Sequence, residues 1–402
     1  MREYWIWLAA RKGMGNKQKL ELAARFSDIN AMWQAETYEG LTPSAQTSFR
    51  DKDLTEARRI CAQCDRLGIF VLTADDPQYP NRLRSIADPP LVLYGKGSLP
   101  DFDREAAVAV VGTRRASAYG LMAAERMGGE LASCGGLVVS GMAAGIDAQA
   151  AWGALRAGRP TVAVLGGGVD VIYPASNRTL YRRTEENGCL ISEYPPGSRP
   201  FPYNFLQRNR IISGLSDGVL VVEAPERSGA LNTARHAYSQ GRDMFAVPGN
   251  LGVDSCLGSN ALLQEGAYPA LSGWDVVKHY ENLYPDAVEK RTVSLQKQSA
   301  VPLSKVAQVP AVPQLQRKKM ETTPQKSIDK AENSTYSVLN KRAVTLNPEE
   351  TAVLELLSTH PQYPDAILDR SDLPPATVQA ILTRLGIKGL VQYQPDGRIS
   401  RK

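Results

Sequence analysis

The sequence predicts a doubly wound α/β protein with a parallel sheet, a helical domain before it and a winged helix after it. Three observations carry that prediction. From about residue 86, short apolar runs recur at Leu91–Tyr94, Ala107–Val111, Leu137–Ser140, Thr161–Leu165, Leu190–Ser192, Gly218–Val222 and Met244–Val247. The runs are continuous rather than alternating, as strands are when both faces of their sheet are covered. Helical stretches separate them, at Ala118–Ser133, Ile146–Ala157, Arg178–Glu186, Arg210–Leu215, Leu231–Gln240 and Asn260–Gln264, and strand–helix alternation builds parallel sheets. Finally, several runs end in glycine, which lets a turn approach a ligand or a neighbouring backbone closely.

A chain of 402 residues exceeds one domain of ~100–200 residues, and four segments are read in it. Residues 1–85 are helical, with Leu20, Leu22, Ala23 and Phe26 at helical spacing before Ile29, Met32 and Trp33. The turn Gly13-Met14-Gly15 between two helices fits a helix-hairpin-helix, whose amides contact phosphates, or a plain αα-hairpin in a small bundle. Residues 86–285 hold the sheet.

Residues 286–344 lack sustained periodicity and are broken by proline, as at Val309-Pro310-Ala311-Val312-Pro313, which reads as a disordered linker. From residue 288 to 343 there are eleven Lys/Arg against four Asp/Glu, a surplus of seven; with +5 in total, the rest of the chain is about two negative. The linker is thus a solvated tether or a non-specific nucleic-acid arm, and any anion site on the folded parts must be a local patch.

Residues 345–402 regain pattern. Pro348 opens a helix bearing Val353, Leu354, Leu356 and Leu357; Pro374-Pro375 opens another with Val378, Ile381, Leu382 and Leu385; Leu390–Tyr393, Pro395-Asp396-Gly397 and Arg398–Ser400 make a hairpin. This is the order of a winged helix. Its recognition helix offers only Thr377, Gln379, Arg384 and Lys388 as polar probes, too few for groove reading, so a protein-contact or weak DNA role is expected.

The five cysteines are odd in number and scattered, which argues for a reducing compartment. Cys61-x-x-Cys64 has metal spacing but lies inside an expected helix with no second pair. No apolar stretch approaches the ~20 residues of a membrane span, and Arg11 and Lys12 follow the first apolar run too closely for a signal peptide. A cytoplasmic location is expected.

The chemistry-bearing residues cluster at the ends of the strands. Gly112-Thr113-Arg114-Arg115 precedes the helix starting near Ala118, so loop amides and two guanidinium groups can converge on one anion. Ser140, Gly141 and Gly145 bracket a second strand-to-helix turn, where Asp147 suits a helix cap or an arginine partner better than a phosphate. Gly166-Gly167-Gly168 calls for unusual backbone angles or a close neighbour, and Asn177 follows on the same rim. Arg208-Asn209-Arg210 reads as a further basic turn, and Ser228–Thr233 leads into a helix. Tyr173, Tyr203 and Phe205 could stack on bases, or pack in the core. Phosphate, in a nucleotide or a nucleic-acid backbone, suits such turns. About five cationic contacts to a single strand would give a log–log salt slope of roughly −3.5.

Other chemistries lack their parts. There is no Gly-x4-Gly-Lys-Ser/Thr and no Gly-x-Gly-x-x-Gly after a strand. His236, His279 and His360 lie in three separate regions, leaving no metal cluster and no Ser/His/Asp set. No cofactor and no metal are expected.

The motifs Asp76-Pro77-Gln78-Tyr79-Pro80, Asp88-Pro89-Pro90-Leu91, Val111-Gly112-Thr113-Arg114, Ser140-Gly141, Gly145-Ile146-Asp147, Tyr173-Pro174, Ser192-Glu193-Tyr194-Pro195, Arg208–Ser216, Ser228-Gly229-Ala230-Leu231 and Phe245–Gly249 together resemble the DNA-processing protein A (DprA, or Smf) family over about residues 70–280. The resemblance implies an extended Rossmann fold in a homodimeric recombination mediator, which binds single-stranded DNA, often in natural transformation, and helps load the RecA recombinase. It also implies DNA contacts at Arg114, Arg115, Arg208 and Arg210. Two positions depart from the family pattern: Ala144 stands where an arginine is common, and Ala151 where a histidine is. The rival reading is a nucleotide-processing enzyme similar to phosphoribohydrolases. Those enzymes carry a glutamate just after their Gly-rich turn, where this chain has Arg235 after Ala234.

Overall fold

The computed structural model describes residues 1–289 and, between 346 and 401, one helix, a strand pair and separate positions among them. These form two compact units. The expected linker lies outside the described residues from 290 to 345. Its first residues belong to the fold instead: Val288 is buried and the Glu289 amide donates to the Cys134 carbonyl (3.1 Å).

Five helices open the chain: α1 (Arg2–Ala9), α2 (Asn16–Ala23), α3 (Ile29–Gln34), α4 (Pro43–Arg50) and α5 (Thr55–Leu67). Asp28 and Thr42 cap α3 and α4 by accepting from the amides of Ala31 and Ala45. Trp7, Leu8, Met32 and Phe49 are fully buried among them. In the Gly13–Gly15 turn the Lys12 amide donates to Ser48 Oγ (2.9 Å) and the Gly15 amide to Gln18 Oε1 (3.2 Å). The second of these bonds caps α2, and a Cβ at Gly13 would meet the Ala45 backbone at 2.9 Å, so the turn lies close against α4. Cys61 and Cys64 lie on α5 as free thiols, and burial pushes Cys64 up to about 11, so packing explains their spacing.

The nine-stranded sheet runs in the order β1 (Phe70–Thr73), β2 (Val92–Gly97), β6 (Cys189–Ser192), β5 (Thr161–Val164), β4 (Gly136–Ser140), β3 (Ala106–Val111), β7 (Gly218–Val221), β8 (Asp243–Ala246), β9 (Tyr268–Pro269). From β6 to β9 all neighbours are parallel; β2 pairs antiparallel with β6, and β1 with β2. The sheet is therefore mixed, and β1 lies inside the stretch expected to be all helical. Its four residues follow Gly68, which ends α5 in a left-handed conformation.

The central strand β3 shows how the layers form. Its six residues are all buried, and they alternate between two cores: Val108 and Val110 on one face, Ala107, Ala109 and Val111 on the other. The first face is covered by α7 (Ala118–Ser133) and α8 (Ile146–Arg156), whose glycines Gly128 and Gly153 let the backbones approach. The second is covered by α10 (Pro202–Gly214) and α11 (Gly229–Ser239). The helix between β5 and β6 is α9 (Arg178–Asn187). Core residues of the helical bundle join Leu91, Tyr94, Ala148 and Ala151 in one cluster, so the bundle packs on the sheet region. Ala151, one of the two family departures, is part of that apolar contact.

One element differs from expectation in a way that alters the site. A helix was expected only over Arg210–Leu215; α10 instead starts at Pro202, with proline in its first turn. Arg208, Asn209 and Arg210 therefore sit inside a helix and are buried, rather than forming an exposed turn. Proline at a helix start needs no amide partner.

In the second unit, a helix over Pro348–Glu355 and an antiparallel pair, Val391–Tyr393 with Ile399–Arg401, surround a core that includes Val353, Ile367, Val378, Ile381, Leu385 and Ile399. Arg384, expected as a polar probe, pairs with Glu350 (3.6 Å); Gln379 and Lys388 lie outside the described residues. Among the described residues no helix is long and apolar enough to cross a membrane, and no group of three His, Cys, Asp or Glu side chains could hold a metal ion.

Candidate nucleic-acid interface

The chain leaves β3 towards β4 on one side and later returns to β7 on the other, so the loops after β3 and β7 splay apart at the carboxyl ends of the strands. Open α/β sheets bind ligands at such a switch point. Here the opening is a crevice of about 370 Å³, lined by the β3 loop, the start of α8, the exposed side of α10, and the β7 loop with the first turn of α11.

Its wall on the β3 side is held from below. The Thr113 amide donates to the Glu223 carbonyl (2.8 Å), while the Ser117 amide and hydroxyl both donate to Glu223 Oε2 (3.0 and 3.1 Å). Glu223 is buried, and its Oε1 has no hydrogen-bond partner among the described residues. Gly145, at φ +85°, lets the β4 loop approach Thr113, and the Ile146 amide donates to the Thr113 carbonyl (3.3 Å). With the loop fixed this way, Arg114 and Arg115 stand exposed on it, and neither makes an ion pair with a described residue. The Arg114 guanidinium lies 5.1 Å from the ring centre of half-buried Phe205, which packs 5.3 Å from exposed Tyr173.

The opposite wall is Arg227, also exposed and in no ion pair with a described residue, followed by Ser228, which caps α11 by accepting from the Ala230 amide (3.2 Å). The α11 N-terminus thus opens on the crevice, where its partial positive charge adds to the arginines. Asn209 lines the same space and ties α10 to α11, donating to Asn232 Oδ1 (3.0 Å) and the Gly229 carbonyl (3.3 Å). The sequence reading missed Arg227. Its place one residue before a Ser cap, after Pro225, was the available signal.

Several expected contact residues serve the protein instead. Arg208 is buried at the floor, donating to the carbonyls of Gly141 (2.8 Å) and Val164. Burial lowers it to about 10, with nearby Asp147 opposing and Arg114 adding to the shift. Asp147 is raised by the same burial, offset by Arg208 and by amides including that of Gly141 (3.1 Å). Gly141 is required by this arrangement: a Cβ there would lie 2.6 Å from Arg208 Nη2 and 2.7 Å from Asp147 Oδ2.

Arg210 points away from the crevice, pairing with Asp88 (2.8 Å) and Glu193 (2.7 Å). Desolvation opposes its charge, but those two carboxylates prevail and its pKa is raised. Glu193 also accepts from Asn16 of the bundle (3.4 Å). Ser140 is buried and donates to the Val110 carbonyl (2.7 Å), linking β4 to β3. Gly167 is covered by chain rather than ligand, since a Cβ there would meet the Ser198 carbonyl at 2.9 Å. Asn177 donates to the Met142 carbonyl (2.9 Å), bracing the β4 loop, where Met142 holds the unusual φ of +57°. Ala144, the other family departure, sits half-buried in that loop.

The arrangement has a cationic crevice flanked by aromatic and apolar side chains, with Tyr173, Phe201, Tyr203 and Leu206 exposed nearby. The family described as DNA recombination-mediator protein A matches residues 70–281, and the DprA winged helix domain matches residues 340–397. Protein Smf of Synechocystis is 32% identical over 424 aligned positions, covering 99% of this chain and 98% of the relative. The DNA processing protein DprA of Bacillus subtilis is 37% identical over 257 residues, 61% of this chain and 86% of that protein. The X-ray structure of DprA from Streptococcus pneumoniae superposes with a TM-score of 0.60 at 34% identity, covering 69% of this chain and 98% of that one.

Proposed function

Because the chain belongs to the DNA-processing protein A (DprA/Smf) family, we propose that its crevice grips the backbone of single-stranded DNA and that the protein is a recombination mediator, helping to load RecA, as in natural transformation. One observation carries the reading: Arg114, Arg115 and Arg227, with no ion pair among the described residues, and the N-terminus of α11 all face one crevice. Arginines and a helix N-terminus suit phosphates, while Phe205 and Tyr173 offer faces on which unpaired bases can stack. A duplex hides those faces.

The protein acts by binding and breaks no bond. Asp147 is the carboxylate that lines the crevice, and Glu223 lies beneath its β3 wall; both are buried. Asp147 is buried against Arg208 and backbone amides, and Glu223 braces the loop through Ser117. A phosphoribohydrolase-like activity would need a carboxylate exposed to the ribosyl bond. The family reading extends to a homodimer, and the short edge strand β9, with Tyr268 exposed on it, leaves a sheet edge open for a second copy.

The test is a mobility-shift comparison of single- and double-stranded oligonucleotides. Single-strand preference with little base preference is expected, with a salt slope of about −2 for three phosphate contacts at ~0.7 each. The slope is shallower than roughly −3.5 because Arg208 and Arg210 are buried. A slope near zero, or a preference for duplex, overturns the reading. Turnover of nucleoside monophosphates that Glu223→Gln abolishes would instead favour the enzyme.

A further inference from the structure

We propose that the bound single strand continues beyond the crevice, along α9, into a second cationic groove at the opposite end of the sheet; the proposal rests on the crevice reading above. The groove measures about 420 Å³ and is lined by Trp152, Leu155, Arg156, Arg159, Arg183 and Asn187. It shares one arrangement with the crevice. Arg156 lies over the Trp152 ring at 5.7 Å, as Arg114 lies over Phe205.

Continuity comes from α9. Its N-cap, Asn177, is tied to the β4 loop at the rim of the crevice, and its last residue, Asn187, lines the groove. Ten residues at 1.5 Å each span about 15 Å. Along the exposed side of the helix stand Arg178 and Arg182, one turn apart, and then Arg183. Arg178, Arg182 and Arg159 make no ion pair with a described residue. Arg156 and Arg183 do pair, with Glu125 and Glu186, but all four side chains are exposed and such pairs are readily exchanged for a phosphate.

A second observation is independent of the groove. The charges on α9 oppose its dipole: Arg178 is the first helical residue, and Glu185 and Glu186 fall in the last turn. Helix stability favours the reverse order. A cation at the start of α9 therefore costs the helix stability, and it stands where a strand leaving the rim would pass. Local rules are broken most often where function requires it.

The experiment measures binding of the full chain to oligothymidylates of about six and about twenty nucleotides by fluorescence anisotropy across salt concentrations. Arg159→Gln/Arg182→Gln should leave the short oligonucleotide within about twofold, weaken the long one ~10-fold, and reduce the long one's salt slope by roughly 1.4, at 0.7 per lost phosphate. Both side chains are exposed, so unfolding temperature should not move. Equal weakening at both lengths, or none at either, overturns the proposal. So does polyglutamate binding that depends on the two arginines while the long oligonucleotide's does not, since the groove then holds an acidic protein segment. The short oligonucleotide keeps the two readings apart: if Arg114→Ala leaves its affinity unchanged, the crevice reading fails whatever happens at the groove.

Discussion

Arg114 and Arg210 look alike in the sequence, each within two residues of a second arginine and close to a glycine, yet the fold puts them to opposite uses. Arg114 stands on a loop, exposed, against an aromatic ring. Arg210 is in mid-helix with two carboxylates and only 7% of its side chain exposed. What separates them is backbone context. A loop after a strand ends at the rim of the sheet, whereas a helix lying across the sheet turns part of its surface inward. A guanidinium there must find internal partners, because a buried, unpaired charge is costly.

The largest expected effect breaks the comparison at its buried end. Arg210→Ala strands Asp88 and Glu193, and should destabilise the protein by roughly 3 kcal/mol, the low end for broken buried pairs because Asp88 is 46% exposed. Urea unfolding measures this. Near-wild-type stability together with lost DNA binding would mean that Arg210 faces the ligand after all.

At the exposed end, Arg114→Ala/Arg115→Ala/Arg227→Ala should leave stability within about 0.5 kcal/mol, and weaken single-strand binding by ~100-fold or more at moderate salt. Its salt slope should flatten towards zero. The stability and binding effects of the two variants are thus expected to be crossed, and a variant that loses both properties would blur the distinction.

A third effect concerns the floor between them. Gly141→Ala forces a methyl into the space between Arg208 and Asp147, and overpacking of that kind costs ~1–3 kcal/mol. The change should also disturb the β4 loop, so binding weakens modestly while the salt slope stays put. A silent Gly141→Ala would show that Arg208 and Asp147 can separate freely.

Much of this fold was legible in the sequence because its signals are local. The seven apolar runs became β2 to β8, and Ala118–Ser133 agrees with α7 at both ends, since Ser117 caps it and the run of apolar and small residues continues without interruption. The strands β1 and β9 were not legible. The first is four residues after a helix, and the second is two residues ending in proline at a sheet edge. The site was half legible. The Gly112–Arg115 loop could be placed from a strand followed by a helix start. The burial of Arg208 and Arg210 could not, because it depends on α10 beginning at Pro202 and on Asp88, 122 residues away. The same holds for Glu223, whose bracing of Ser117 spans 106 residues.

A last effect extends the comparison to a third cation, in the helical bundle. Lys19 is buried like Arg210 but has no carboxylate partner within ion-pair reach among the described residues; its ammonium donates to the Ala9 carbonyl (3.0 Å). Burial, reinforced by Arg11, lowers it from 10.5 to about 8 against the weaker pull of Asp88 and Glu193. The sign follows from proton counting. Between about pH 8 and pH 10.5 the unfolded chain keeps the Lys19 proton while the folded chain gives it up, so stability from this group rises with pH across that window. Other groups titrate there too, including Cys64, whose raised pKa acts in the opposite direction. The difference between wild type and Lys19→Met isolates the effect. Urea midpoints of the wild type, taken relative to the variant, should climb from pH 8 to pH 10.5. A flat difference would mean that Lys19 stays protonated in the fold, held by carboxylates as Arg210 is.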